Sequence, residues 1–345
     1  MLIRPQTTAP AQAPMLEPLA HGGELAAARR MFPAAPEPFI DLSTGINPQP
    51  YPLPALRSEI FARLPDRASI RALAAVAAAA YGAPSADHVA PAPGTQILLP
   101  HVAALVPPGR AAILRTTYAE HARAVTLAGH DVNEVADADG LAHADLAIVV
   151  NPNNPDGRVV DKATLLRIAK DLRLRDGILV VDESFADVAH GASLAGEVDR
   201  DNIVVLRSFG KFYGLAGLRL GFALAAPELI NRIEAVLGPW AVAGPAIEIG
   251  KAALGDNEWR QQTLNRLAMD AKRLDGLLAD AGLAVVGGTS LYRLAESSNA
   301  TECFNRLGRA GILVRRFAEQ PQWLRFGLPA DETAWQRLSD ALGLN

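Results

Sequence analysis

Cysteine is almost absent from this chain of 345 residues, and neither sign of charge dominates it. The single cysteine, Cys303, excludes an internal disulfide and a cysteine-rich metal site. We therefore expect a reducing compartment and no metal. The formal net charge of -4 argues against a nucleic-acid-binding protein, and an apolar content of 50% argues against disorder.

Long apolar runs are missing as well. The nearest, "ALAAVAAAAY", is shorter than the roughly 18 apolar residues that a membrane span needs. The opening "MLIRPQTTAPAQAPM" lacks the continuous apolar core of a signal peptide, and its prolines break any helix. We therefore expect a cytoplasmic protein without a membrane partner. The length allows one large or two medium domains.

Short apolar runs alternate with helical segments through the middle of the chain. The runs cover residues 111–114, 146–150, 177–182, 202–206 and 218–224, and most are rich in β-branched residues. This alternation predicts an α/β fold with a mainly parallel sheet that is covered by helices on both faces. Before these runs, an alanine-rich helix is predicted from Ser69 to Tyr81, ended by Gly82.

The C-terminal third has a different order of elements. A helical stretch runs from "GPAIEIGKAAL" to "GLLADAG", followed by a strand pair, a helix over "TECFNRLGRAG", two strands and a last helix. This order predicts a smaller α+β domain. We divide the chain into an N-terminal segment (1–40) packing with the small domain, a large domain (41–235) and a small C-terminal domain (236–345).

Polar side chains follow three of the predicted strands. Asn154 lies in "NPNNPDG" after the run 146–150, Asp182 closes the next run, and Ser208 and Lys211 follow the run 202–206. Ligands of open α/β sheets bind beyond the carboxyl ends of the strands. Taken singly, these residues have ordinary explanations as a turn, a helix cap and solvated surface. Together they predict one site.

The same groups meet the demands of pyridoxal 5'-phosphate. That cofactor needs a lysine to bond its aldehyde and a carboxylate to keep its ring nitrogen protonated. Its phosphate needs hydroxyls, an arginine and backbone N–H groups at a helix N-terminus. Ser208 and Arg219 match the first two needs, with Arg219 expected on the strand that follows. The "PGTQ" step containing Gly94, Thr95 and Gln96 is predicted to begin a helix.

These motifs resemble the class I and II aminotransferase family, the fold-type-I pyridoxal-phosphate enzymes. The likeness consists of S-x-x-K followed by G-x-R-x-G, preceded by N-P-N-N-P-x-G and by a strand-ending D-E, and it covers most of the chain. It implies a cofactor-binding large domain, a smaller α+β domain and a homodimer. It also implies that Lys211 bonds the cofactor, that Asp182 pairs with the ring nitrogen and that Asn154 hydrogen-bonds the phenolic oxygen.

The resemblance assigns further residues to the cofactor and the substrate. Tyr118 would stack on the ring, and Arg325 would bind the substrate α-carboxylate. Ser208, Arg219 and the 94–96 step would hold the cofactor phosphate.

Some positions depart from the family pattern. Phe185 stands where many relatives carry a tyrosine, and Gly210 replaces the Ser or Thr often found before the lysine. Leu64 occupies the place of a tyrosine that reaches the partner subunit's site, which leaves the contribution of a second subunit open.

The N-terminal motifs are similar to one branch of the superfamily, the L-threonine-O-3-phosphate decarboxylases of cobalamin biosynthesis. They are "HGGELAAARRMF" and "FIDLSTGINPQPYP". This likeness implies conversion of O-phospho-L-threonine, a phosphorylated amino acid, to (R)-1-amino-2-propanol O-phosphate. His21 and its two following glycines suit a substrate phosphate. Gly45 would admit the substrate by its backbone, and Arg315 is a further candidate for binding the acidic substrate.

Two other functions stay open at this point. Histidinol-phosphate aminotransferases share the core motifs, and a degenerate scaffold would keep the fold without activity. The choice between decarboxylation and transamination depends on which Cα bond stands perpendicular to the cofactor ring, and the core motifs do not encode that orientation.

Overall fold

Two sheets with surrounding helices make up the computed structural model, which describes residues 21–189, 191–200 and 202–344. The strands are β1 (Ile40–Leu42), β2 (Val89–Ala92), β3 (Arg110–Leu114), β4 (Asp131–Val135), β5 (Leu146–Val150), β6 (Ile178–Asp182), β7 (Ile203–Ser208), β8 (Gly221–Leu224), β9 (Ala284–Thr289), β10 (Tyr292–Glu296), β11 (Ile312–Arg316) and β12 (Trp323–Gly327). The helices are α1 (Leu25–Met31), α2 (Glu59–Ala62), α3 (Arg67–Tyr81), α4 (Thr95–Ala103), α5 (Glu120–Leu127), α6 (Lys162–Arg173), α7 (Phe209–Phe212), α8 (Pro227–Leu237), α9 (Gly244–Gly255), α10 (Asn257–Asp280), α11 (Ala300–Arg309) and α12 (Glu332–Leu342).

The larger sheet has seven strands in the order β2-β8-β7-β6-β5-β3-β4. From β4 to β7 all neighbours are parallel, and β8 runs antiparallel to both of its neighbours. Every residue of β5 and β6 is buried, because successive apolar side chains enter hydrophobic cores on opposite faces, as Ile148 and Val149 do. The predicted α/β fold with a mainly parallel sheet is confirmed.

The smaller sheet has five strands in the order β1-β11-β12-β10-β9. Its edge strand β1 pairs in parallel with β11, with Ile40 opposite Ile312, while the other neighbours are antiparallel. The chain therefore passes through the smaller sheet before it enters the larger one, and the boundary placed at residues 40 and 41 falls inside β1. The division into three segments stays a prediction.

Several helices begin and end where sequence signals indicate. The Asp66 side chain accepts a hydrogen bond from the Ser69 N–H at the start of α3, and Gly82 ends that helix with a φ of 79°. The C-terminal third contains the expected series from α9 to α12, including the strand pair β9 and β10. No helix in the described ranges is long and apolar enough to cross a membrane.

The strand expected over 218–224 is shorter than predicted and begins only at Gly221. Residues 216–218 form a turn of 3-10 helix, and Arg219 adopts the left-handed conformation with a φ of 53°. A left-handed residue does not fit a strand, so Arg219 lies before β8 and the prediction that placed it on the strand was wrong. Strand β4 was not predicted, because its sequence "DVNEV" is largely polar and its residues are only partly buried or exposed.

Candidate active site

A cavity of about 550 Å³ opens beyond the carboxyl ends of β5, β6 and β7. All of the site residues expected from the sequence line it, except Gly45 and Arg315. Asn154, Asp182 and Ser208 reach it from the three strand ends, because the strands run parallel and finish at the same edge of the sheet. His21, distant in sequence, lies in its wall as well.

Lys211 lies in α7, which directly follows β7, and is partly buried. Its Nζ is 5.7 Å from the centre of the Phe185 ring. Burial and the charge of Arg325 lower the pKa of Lys211 from 10.5 to about 8, against an opposing effect of Asp182. About a tenth of such an amine is neutral at pH 7, and the neutral form is the one that acts as a nucleophile or a proton acceptor.

Asp182, the last residue of β6, is 4% exposed and has hydrogen-bond donors at both oxygens. His121 Nε2 lies 2.9 Å from Oδ2, while the N–H and hydroxyl of Ser184 donate to Oδ1 at 2.9 and 2.5 Å. Burial acts to raise the pKa of Asp182. The hydrogen bond and the charge of His121, together with the two hydrogen bonds from Ser184, outweigh this effect and lower the pKa overall. Asp182 is thus kept as an anion, suited to hold a proton on a ring nitrogen.

His121 was missed by sequence reasoning. It lies 61 residues before Asp182, and a single histidine on a helix gives no signal of its own. The only clue is its position in "TYAEH", three residues after Tyr118. The structure brings it to the site because α5 begins beside the end of β3.

Arg325 in β12 connects the two sheets at the site. Its Nη1 donates to Asn154 Oδ1, and its Nη2 donates to the Ser43 carbonyl at 2.8 Å. The residue is 7% exposed, and its Nε has no hydrogen-bond partner within the described ranges. Burial lowers the pKa of Arg325 to about 10. A buried guanidinium with an unsatisfied N–H favours an anionic ligand such as a carboxylate.

A recess at the start of α4 has the features of a phosphate site. Gly94 has a φ of 89°, and a Cβ there would lie 2.8 Å from Nη2 of Arg219. A Cβ at Gly221 would lie 2.6 Å from the Thr95 nitrogen. Glycine at both positions keeps the guanidinium and the first N–H groups of α4 close together, and Ser208 adds a hydroxyl.

Tyr118 belongs to a chain of hydrogen bonds along the cavity wall. Its hydroxyl donates to Gln96 Oε1 at 3.0 Å, and Gln96 Nε2 donates to Glu120 Oε2 at 3.0 Å. His21 Nε2 lies 2.9 Å from the other Glu120 oxygen. Burial, with the charges of Glu120 and Asp182, raises the pKa of Tyr118 to about 12, so its phenol stays neutral. Sequence reasoning did not select Glu120.

Gly45 and Arg315 lie outside the cavity wall. A Cβ at Gly45 would be 2.8 Å from Tyr292 Cδ1 and 2.9 Å from Phe185 Cε1, so glycine here permits close packing of two rings. Arg315 lies 5.6 Å from the centre of the Phe317 ring, and burial lowers its pKa. A substrate role for either residue stays a prediction.

A buried ionic network supports the strand ends. Arg207, next to Ser208, donates to Glu183 at 2.9 Å and lies 2.9 Å from Asp187. All three are at most 3% exposed. Because Glu183 also follows Asp182, the network links β6 to β7 directly beneath the cavity, which restricts movement of the residues that face it.

The donor set fits pyridoxal phosphate. The cavity offers an amine, a hydrogen-bonded buried carboxylate and an aromatic ring, and it offers the phosphate recess that a Cβ at Gly94 would fill. The two sheets contribute to one site through Arg325.

Comparison with known proteins agrees with this geometry. The family model of aminotransferase class I and II matches residues 39–342. The chain belongs to this family. It is 44% identical to a threonine-phosphate decarboxylase from Sinorhizobium over 95% of this chain and 98% of that protein. It is 42% identical to one from Pseudomonas aeruginosa over 94% and 97%. A histidinol-phosphate aminotransferase from Ruegeria is 34% identical over 60% of each chain.

Solved structures share the fold. A histidinol-phosphate aminotransferase from Sinorhizobium meliloti, in complex with pyridoxal 5'-phosphate, has a TM-score of 0.80 at 21% identity, covering 95% of this chain and 94% of that one. An L-threonine-O-3-phosphate decarboxylase from Porphyromonas gingivalis has a TM-score of 0.73 at 20% identity, covering 88% and 98%. At this identity the likeness establishes the fold alone.

Proposed function

We propose that this chain is a pyridoxal-phosphate-dependent lyase that decarboxylates O-phospho-L-threonine to (R)-1-amino-2-propanol O-phosphate in cobalamin biosynthesis. The observation that carries the proposal is that His21 and Gly22 line the same cavity as Lys211 and Asp182. The N-terminal motif, which distinguishes this branch, therefore belongs to the site. Two relatives that match over nearly the full length, at 44% and 42% identity, are named threonine-phosphate decarboxylases.

The proposed cofactor contacts follow from the cavity wall. Lys211 would form the covalent attachment, Asp182 would hold the ring nitrogen, and Asn154 would bind the phenolic oxygen. Tyr118 would stack on the ring. The phosphate would be held by Thr95, Gln96, Ser208 and Arg219, with the backbone at Gly94. Bound pyridoxal phosphate supplies an aldehyde for the substrate amine and a protonated ring that withdraws electrons from Cα.

The chain's own groups account for the rest of the proposed reaction. Arg325 binds the α-carboxylate. This group leaves as carbon dioxide, and the electron pair of the broken bond stays on Cα. Lys211 then delivers a proton to Cα, as its pKa of about 8 allows near neutral pH. Asp182 remains an anion throughout, because hydrogen bonds from His121 and Ser184 favour its charged form.

The phosphorylated end of the substrate is proposed to lie toward His21. The His21 imidazole and the N–H group of Gly22, which both line the cavity, would bind it. Arg315 interacts electrostatically with Tyr118, and it stays a candidate for binding the acidic substrate.

A homodimer in the cytoplasm completes the proposal. Large apolar side chains around α2 are exposed, with Leu53 at 65% and Phe61 and Leu64 at 68% each, and Trp240 is 54% exposed. Such residues are common where a second subunit packs. Light scattering in solution should give twice the chain mass of 36.5 kDa. A monomer would contradict the proposed dimer but would not bear on the proposed reaction.

The reaction is tested with two substrate pairs. Purified holoenzyme is incubated with O-phospho-L-threonine without any oxo acid, and separately with histidinol phosphate and 2-oxoglutarate. We expect carbon dioxide and the amino alcohol phosphate from the first mixture and no turnover of the second. The opposite pattern would make the chain a histidinol-phosphate-type aminotransferase. Failure of both reactions, in a protein that binds no cofactor, would favour the scaffold.

A further inference from the structure

Glu120 is a carboxylate in the wall of a cavity that is proposed to take an anionic substrate. Its side chain is 9% exposed, and it is the first residue of α5. A buried carboxylate facing an anion would weaken binding by repulsion unless neighbours compensate its charge. The groups that compensate the Glu120 charge therefore indicate how this carboxylate can stand beside an anionic substrate.

Three groups surround the Glu120 carboxylate. His21 Nε2 lies 2.9 Å from Oε1, Gln96 Nε2 donates to Oε2 at 3.0 Å, and Arg123 Nη1 lies 3.8 Å from Oε1. His21 is the partner at hydrogen-bond distance that can carry a charge. With the Nε2 proton directed to Glu120, the Nδ1 atom is the remaining polar atom of the ring.

The contact also fixes the position of the N-terminal segment. Gly22 packs so closely that a Cβ would lie 2.4 Å from the Ser43 carbonyl oxygen, and the Gly23 N–H donates to the Ser43 hydroxyl at 2.7 Å. Arg325 donates to the same Ser43 carbonyl. Residues 21–23 are thus held between Glu120 on one side and Ser43 on the other.

We propose that Glu120 is a positioning residue for substrate recognition. It orients the imidazole of His21 toward the phosphorylated end of the substrate and ties residues 21–23 to the start of α4 through Gln96. The inference rests on the proposed function, because the phosphorylated substrate is part of that proposal.

The geometry predicts an unusual double-mutant cycle. His21→Ala removes the imidazole and leaves the Glu120 charge facing the substrate phosphate, so binding weakens by about 30-fold or more. Glu120→Ala lets the imidazole turn away and weakens binding by about tenfold. The double variant lacks both the His21 imidazole that binds the phosphate and the Glu120 charge that repels it. It therefore binds no worse than His21→Ala alone, whereas independent effects would multiply to about 300-fold.

The cycle is measured on the holoenzyme with O-phospho-L-threonine. The dissociation constant comes from the rapid absorbance change of the bound cofactor, and kcat comes from carbon dioxide release. Glu120→Gln keeps an oxygen that accepts from His21 and should restore binding to within about threefold of wild type. Cofactor affinity and kcat should change much less than substrate affinity. Glu228→Gln, which removes an exposed first-turn carboxylate of α8, is the matched control and should behave as wild type.

The outcomes separate the two claims. Multiplicative losses in the double variant, or a Glu120→Ala defect confined to thermal stability, overturn the role of Glu120. If the wild type binds O-phospho-L-threonine with the predicted cycle but releases no carbon dioxide, only the proposed reaction fails. A wild type that does not bind this substrate overturns both.

Discussion

Replacing Lys211 with methionine should stabilise the apoprotein at neutral pH. Methionine keeps the length and apolar stem of lysine but carries no charge. The wild-type amine lies in a partly buried position beside Arg325, which disfavours its protonated form. Lys211 therefore lowers the stability of the folded apoprotein, and the same environment makes its amine reactive.

The magnitude follows from the pKa of Lys211, which falls from 10.5 to about 8 in the folded protein. At about 1.36 kcal/mol per pKa unit, the cost to the folded state is about 3 kcal/mol. The unfolded chain binds the proton more tightly, so the cost is complete below about pH 8. It declines as the pH rises from about 8 and disappears above about 10.5.

Urea unfolding of the two apoproteins from pH 6 to pH 10.5, at one fixed protein concentration, checks this expectation. The Lys211→Met variant should gain up to about 3 kcal/mol at pH 6 to 7, with the gain vanishing at the alkaline end. Lys170→Met, which changes an exposed lysine of α6, is the control and should show no such pH dependence. A stability difference that is constant with pH, or a less stable Lys211→Met variant, would refute the reasoning.

Three further substitutions test other parts of the site. Asp182→Ala should retain cofactor but lose turnover by at least about a hundredfold in the carbon dioxide assay, and normal turnover would exclude Asp182 as the ring partner. His121→Phe removes a hydrogen bond that lowers the pKa of Asp182, so activity should be lost at a higher pH as the solution is acidified; an unchanged acid limb of the pH profile would contradict this. Gly94→Ala places a Cβ against Arg219 at a residue with a positive φ, so it should weaken cofactor binding by about tenfold or more in an absorbance titration. Unchanged cofactor binding would show that the cofactor phosphate does not lie in this recess.

Much of the site could be predicted because it depends on strand order. Asn154, Asp182 and Lys211 each follow an apolar run, and parallel strands necessarily finish at one edge of the sheet. The runs themselves are continuous and β-branched, which made β5, β6 and β7 easy to locate.

The residues that sequence reasoning missed act through distant contacts. His121 reaches Asp182 across 61 residues, and Glu120 reaches His21 across 99. Neither pair has a characteristic spacing. The conformation of Arg219 was also missed, because its left-handed φ depends on the packing of the turn before β8 and a non-glycine residue rarely adopts it. The edge strand β1 has only three residues, too few for a pattern.

The most direct test of the proposed reaction counts turnovers without an acceptor. Holoenzyme is mixed with an excess of O-phospho-L-threonine labelled with ¹³C at the carboxyl carbon, in the absence of any oxo acid. The labelled carbon dioxide released is compared with the amount of bound cofactor. A decarboxylase regenerates its cofactor in every cycle, so we predict many equivalents of labelled carbon dioxide per site. Consumption of a single equivalent of substrate per site, without labelled carbon dioxide, would contradict the account and identify a transaminase.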